Sequence, residues 1–228
     1  MNIIISDILA TLKDDHPVTR IEVSAHWILI TSKHSGMAST MTSCKPHGED
    51  LLEEAGNLLT KSALELAAMS TSADPLAAGI GMAAINSLLE LPTQHVTEIN
   101  IAEVLEQKGK GKKIAMIGHF PFVKKLRKAA KEVWVIDLQP GPGEYSPEQA
   151  PALLAEADIL AMTGNTLITK AAEDYIAMCR PDAYKIMMGP TTPLTPLLFE
   201  HGVDLLAGVT VRDADMAVSY THLTLPTN

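Results

Sequence analysis

An imidazole exchanges protons near neutral pH and can offer a neutral ring nitrogen to a metal, and one imidazole, His119, stands in a set of three unusual short loops. The loops are Gly118-His119-Phe120-Pro121-Phe122, Thr163-Gly164-Asn165-Thr166-Leu167 and Gly189-Pro190-Thr191-Thr192-Pro193-Leu194. Thr163, Gly164, Asn165 and Thr166 combine hydroxyl and amide groups with the free N–H groups of a helix start, which suits an anion or a polar ligand edge; helix capping is the alternative use. Thr191 and Thr192 sit between prolines that stiffen the loop, so their hydroxyls are held in place before anything binds. His119 is therefore a candidate acid, base or ligand. Gly118, Phe120, Gly189 and the threonines are candidate binding positions around it.

Each loop follows an apolar, β-type run and precedes a helical pattern. In a parallel α/β sheet all three would gather at the carboxyl edge of the strands, where such folds bind ligands. The runs Lys113–Ile117, Val133–Leu138, Ile159–Thr163, Lys185–Met188 and Leu205–Val209 alternate with helices and are nearly continuously apolar, as in a sheet covered on both faces. Asp137 ends the second of them, where an acidic residue accepts ribose hydroxyls in dinucleotide-binding folds; capping of the Gln139-Pro140-Gly141-Pro142-Gly143 turn is its other reading. The first βα turn has one glycine, Gly118, where a dinucleotide site needs three, which argues against ordinary NAD or FAD binding.

Upstream the pattern differs. Residues 1–16 read as a short amphipathic helix ended by His16-Pro17, and Val18–Val23, Trp27–Thr31 and Met37–Thr42 as a small antiparallel meander. From Glu49 to Leu91 the spacing is helical, with breaks near Thr60 and at Ser70–Pro75, where Asp74-Pro75 is a cap followed by proline at the first helical position. The small residues from Leu76 to Asn86 predict a helix closely packed on its neighbour. The expected organisation is a small α+β domain over 1–97, a Rossmann-like parallel-sheet domain over 98–217, and a segment 218–228 set apart. Val218–Thr227 resembles the translated read-through of a sequencing-library adapter; it is left out of the fold reasoning, with the native chain expected to continue differently.

The 228 residues are 46% apolar, enough for a sizeable core, and carry a formal charge of −9. That charge disfavours nucleic acid and anionic membrane surfaces, since either needs a concentrated basic face. No run reaches the length of a spanning helix, and two cysteines, Cys44 and Cys179, make no disulfide framework, so cytoplasmic residence is expected. Cys44-Lys45-Pro46-His47 has metal-ligand types but lacks the second pair of a structural zinc site. Hydrolase elbows, Walker loops and His-Glu-x-x-His sequences are absent.

The three loops together resemble the motifs of a prokaryotic family of unknown function labelled "putative heavy-metal chelation". The resemblance extends over roughly residues 1–215, with a softer match through Gly36-Met37-Ala38 and Gly81-Met82-Ala83-Ala84-Ile85-Asn86. It implies a Rossmann-like domain preceded by an enolase N-terminal-like domain, a homodimer, and a cleft over the sheet's carboxyl edge. That cleft would be lined by His119, Phe120, Asn165, Thr166, Thr191 and Thr192, with Gly36 and Asn86 from the first domain. The implied role is handling a metal ion or metal chelate, though loops rich in hydroxyls and amides suit a polar organic ligand carrying a metal better than a bare ion.

Three functions follow as expectations: a binder of a small metal-associated or anionic ligand, an enzyme acting on or with a nucleoside-bearing ligand at the carboxyl edge, or an assembly module whose loops only cap helices.

Overall fold

The structure is a computed structural model that describes residues 3–42, 52, 55–91 and 96–221. The chain forms two compact units: residues 1–91, 190–195 and 208–228 make one, and residues 92–189 and 196–207 the other.

In the first unit, β1 (Arg20–Val23), β2 (Trp27–Thr31) and β3 (Ser35–Ser39) form an antiparallel meander in which Leu29 faces Met37 and Ile30 faces Gly36. Alternation along β2 puts Leu29 in a cluster with Met37, Trp27, Val211, Ala214 and Ala217, the last two from helix α10 (Ala214–Thr221). Ile28 and Ile30, on the opposite face, are fully buried. Helix α1 (Ile3–Thr11) buries Ile4, Ile5 and Ile8. It stops earlier than the pattern over 1–16 suggests: the Thr11 hydroxyl donates to the Ile8 carbonyl, and a polar stretch runs from there to Pro17, which pairs with Ser62 instead. Strand β3 likewise begins two residues before the expected Met37, because Ser35 pairs with Thr31 across a tight turn.

A 3-10 turn (Ala55–Thr60) leads to α2 (Ala63–Ala68), which opens with a Ser62–Glu65 capping box. Helix α3 (Pro75–Leu88) starts as expected, with the Asp74 carboxylate accepting from the N–H groups of Leu76 and Ala77. Nearly all of α3 is buried, and its small residues serve close packing. A Cβ on Gly81 would collide with the Ser70 backbone, and one on Gly36 of β3 with Ala83 O and Ser87 N of α3.

The second unit is a five-stranded parallel sheet of β4 (Lys113–Ile117), β5 (Glu132–Ile136), β6 (Ile159–Thr163), β7 (Tyr184–Met188) and β8 (Leu205–Ala207), in the order β5-β4-β6-β7-β8. Helices α4 (Ile101–Lys108) and α5 (Val123–Ala129) cover one face through Leu105, Val123 and Leu126, which meet Ile114, Met116, Ile159, Ala161, Ile186 and Met188 at period two. Helices α6 (Ala150–Glu156) and α8 (Ala172–Met178) pack on each other; α7 (Asn165–Ile168) and α9 (Leu197–Glu200) are single turns. At the amino edge, Asp158 accepts from the Lys113 N–H at 2.8 Å and from Arg180 at 3.1 Å. Among the described residues no helix is long and apolar enough to cross a membrane.

Two outcomes are expected. Gly36→Ala should destabilise the protein by about 3 kcal/mol in chemical denaturation, because backbone on both sides prevents relaxation, whereas Gly56→Ala, with nothing within 4 Å of the new methyl, should be neutral or slightly stabilising. The Lys113 N–H, more than the Arg180 guanidinium, holds the Asp158 carboxyl below the ordinary carboxylate range. Its stabilising effect is present above the unfolded-state value near about 3.9 and is lost as pH falls through the lower folded value. The gap in urea midpoint between wild type and Asp158→Asn should therefore be full at pH 7 and shrink below about pH 4.

Candidate functional site

Strand order β5-β4-β6-β7-β8 reverses direction between β4 and β6, and such a switch point opens a crevice at the carboxyl ends of those two strands. The register aligns Ile117 with Ile136 and with Met162, so Gly118, Asp137 and Thr163 stand in one row at the carboxyl edge, Thr163 still paired with Met188. At three strand ends a glycine N–H adds one further rung to the ladder: Gly118 to Ile136 O at 2.9 Å, Gly164 to Met188 O at 2.8 Å, and Gly189 to Ala207 O at 3.0 Å. Gly118 has φ +95°, which favours glycine, and a Cβ there would also press on Thr163 Cγ2 at 3.1 Å. Gly189, at φ +101°, turns the same way.

Beyond Gly118 the ring of Phe120 stacks on Phe122, with centroids 5.4 Å apart, and both pack against the sheet core, which anchors the loop. His119 stays out, its side chain 59% exposed, between two carboxylates. Its Nε2 lies 2.6 Å from Glu144 Oε1 and its Nδ1 lies 3.4 Å from Asp137 Oδ2. The carboxylates are themselves held. Asp137 Oδ1 accepts from the Gln139 N–H at 3.0 Å, the turn-capping role expected of it, and Glu144 Oε2 accepts from the Gly141 N–H at 2.8 Å. Tyr145 folds the turn back onto the sheet, its N–H donating to Val135 O and its carbonyl accepting from the Asp137 N–H. Sequence reasoning missed Glu144; the signal available was an acid closing the Gly141-Pro142-Gly143 turn directly after a strand.

The second loop uses its polar groups locally. Thr163 Oγ1 accepts from the Asn165 N–H at 3.3 Å, and the buried Thr166 hydroxyl donates to Thr163 O at 2.8 Å. The third loop divides: Gly189 belongs to the sheet unit, while residues 190–195 belong to the other. There Thr191 Oγ1 accepts from the Ser39 N–H at 2.9 Å, and the Asn86 amide donates to Met37 O at 2.8 Å and Pro190 O at 3.3 Å. Asn86 Oδ1 and Thr192 Oγ1 are buried with no hydrogen-bond partner among the described residues. The predicted positions thus fall into two groups. Gly118, His119, Phe120, Asp137, Thr163, Gly164, Asn165, Thr166 and Gly189 lie at the carboxyl edge of the parallel sheet; Gly36, Asn86, Thr191 and Thr192 lie in the meander unit, with Gly36 closed over by α3.

For a metal, the described residues contain no group of three or more His, Cys, Asp or Glu side chains arranged to hold an ion. Burial pushes the Cys179 thiol up to about 11, so it is no thiolate ligand at neutral pH. Cys44 and His47 lie outside the described residues. His119, Asp137 and Glu144 bring nitrogen and carboxylate oxygen together, but not in an arrangement that holds an ion. Two carboxylates beside one imidazole also disfavour a bare anion there.

A family model described as "Putative heavy-metal chelation" matches residues 100–222, and a second of the same description matches residues 5–89. An uncharacterized protein of Methanocaldococcus jannaschii is 28% identical over 169 residues, which span 71% of this chain and 65% of that protein, so the match covers less than two thirds of the relative's length. Among solved structures, a DUF364-family protein of unknown function from Desulfitobacterium hafniense aligns with a TM-score of 0.86 at 24% identity over 100% of this chain and 94% of that one. Another from Pyrococcus horikoshii aligns with a TM-score of 0.73 at 20% identity over 96% and 91%. These likenesses carry the fold.

Thr191→Val keeps shape but strands the Ser39 N–H, so it should lower stability by about 1–3 kcal/mol in thermal denaturation.

Proposed function

The chain belongs to the family described as "Putative heavy-metal chelation", and from that premise we propose that it binds a small polar ligand carrying a borderline divalent metal at the carboxyl edge of its parallel sheet. The observation that carries this reading is His119 held between Asp137 and Glu144 at the carboxyl ends of β4 and β5. A metal here is cargo. The protein offers too few donors to enclose a bare ion, so the ligand's own donors complete the coordination. Homodimerisation, cytoplasmic residence and the absence of nucleic-acid and membrane partners accompany this reading, supported by the family resemblance and by the net charge of −9.

An enzyme using a nucleoside-bearing ligand would need Asp137 for ribose hydroxyls. Its oxygens already serve the Gln139 N–H and the His119 ring.

The test is thermal melting of the metal-free protein with zinc bound to iminodiacetate, a chelator that leaves coordination positions open. A ligand held by the native state at about a hundred times its Kd adds about 2.7 kcal/mol of stability. The melting temperature should rise in wild type and stay put in His119→Ala. Equal shifts in both proteins, or none in either, would contradict the proposal.

A further inference from the structure

Nine of the chain's 18 lysines and arginines fall within residues 108–131, a stretch that contains none of its 27 aspartates and glutamates. The rest of the chain carries nine basic against 27 acidic side chains, so an acidic protein holds one concentrated basic segment. The fold gathers that segment onto one surface. In α5, Val123 and Leu126 face the sheet, and Lys124, Lys125, Arg127 and Lys128 take every exposed position. The turn before β4 is fastened to the end of that helix: the Gly111 N–H donates to Ala129 O at 3.0 Å, and the Lys131 N–H to Lys112 O at 2.9 Å. Lys110 and Lys112 are thereby brought beside Lys131.

The chain itself makes little use of these charges. Lys125 pairs with Glu106 and Lys113 with Glu156, and the Lys108 ammonium sits 4.2 Å from the centre of the Tyr184 ring. The other six, Lys110, Lys112, Lys124, Arg127, Lys128 and Lys131, are exposed and have no ion-pair partner among the described residues. Helix stability does not account for them. The helix dipole favours cations in the last turn, which covers Arg127 and Lys128, but opposes Lys124 and Lys125 in the first. Lys124 and Lys125 also stand at repelling spacings from Lys128. Solvation alone would be served as well by carboxylates, which this chain has in excess and places elsewhere.

We propose that the face formed by α5 and the turn at 110–112 docks a short acidic segment of a partner protein. The proposal goes beyond the ligand reading of the carboxyl edge and does not depend on it. Charge complementarity sets the class of partner, and the surroundings set its length. Helix α5 has seven residues and is about 10 Å long, and Glu106, Glu132 and Glu156 border the basic surface. A nucleic-acid duplex or an anionic membrane extends well past such a patch and would be repelled by the acidic surroundings. The two phenylalanines of the stretch, Phe120 and Phe122, pack on the sheet core, leaving no exposed phenyl ring there to stack on bases. Eight of the nine cations are lysines, strongly hydrated point charges suited to a steered, salt-sensitive encounter.

The experiment is fluorescence anisotropy of a labelled oligoglutamate peptide titrated with the full chain, beside a DNA duplex of equal charge. It is run at about 0.01 M and about 0.15 M salt, between which the Debye length falls from about 30 Å to about 8 Å. Wild type is compared with the triple variant Lys124→Gln, Arg127→Gln, Lys128→Gln, and with Lys13→Gln, Lys33→Gln, Lys61→Gln, which removes the same charge outside the segment. Glutamine keeps helix propensity, so both variants should fold, which their melting temperatures check. The peptide should bind wild type at low salt, about tenfold more weakly at the higher salt, and about tenfold more weakly in the α5 variant. The other variant should stay within about twofold of wild type. Tighter binding of the duplex than of the peptide, equal losses in the two variants, or no peptide binding at low salt would overturn the proposal. So would self-association at low salt that the α5 variant abolishes, because the occupant would then be a second copy of this chain.

Discussion

Three backbone hydrogen bonds, from Gly118, Gly164 and Gly189 to the next strand, fix the level at which the chain leaves the parallel sheet. A sheet buried on both faces must satisfy every backbone donor up to its last rung, and these glycines provide that rung while turning the chain out of the sheet. Gly118 has φ +95°, and a Cβ there would press on the Thr163 methyl, so β4 and β6 stand close together where the chain leaves β4. The placement of His119, one residue on, is a consequence of that geometry. So is the placement of Asp137, which leaves β5 in the same row.

Above this row the electrostatics are organised by the turn after β5. Tyr145 pairs back onto the strand, bringing Glu144 to the far side of the ring from Asp137. Each carboxylate is held by a backbone N–H within the turn, so the ring is oriented by groups that are themselves fixed. In an acidic protein this edge concentrates negative charge around one imidazole, which favours a cation or a metal-bearing ligand over a free anion. The meander unit is shaped by a different constraint: the approach of β3 to α3 at Gly36 and of α3 to Ser70 at Gly81, both closer than any side chain permits.

Much of this was legible in the sequence because the relevant signals are local. The apolar runs located β4 and β6 to the residue, and Asp74-Pro75 located the start of α3. The α/β class and the parallel sheet followed from alternating strands and helices. Strand order was not legible, since it depends on which buried faces meet. Glu144 escaped notice because its position is set by a turn folding back through Tyr145, a pairing with no periodic signature. The third loop looked like the other two, yet residues 190–195 join the meander unit through the Ser39 N–H and the Asn86 amide, contacts between residues far apart in the chain. The resemblance put Gly36 at the lining of a cleft, and its neighbour in the structure is the backbone of α3.

The most direct test of the account is the anomalous scattering of zinc in crystals grown from metal-free protein with zinc bound to iminodiacetate. The account predicts a single strong peak at the carboxyl edge between the ends of β4 and β5, beside His119, and no peak there in His119→Ala. A peak at the opposite edge of the sheet, or zinc that persists beside the alanine, would contradict it.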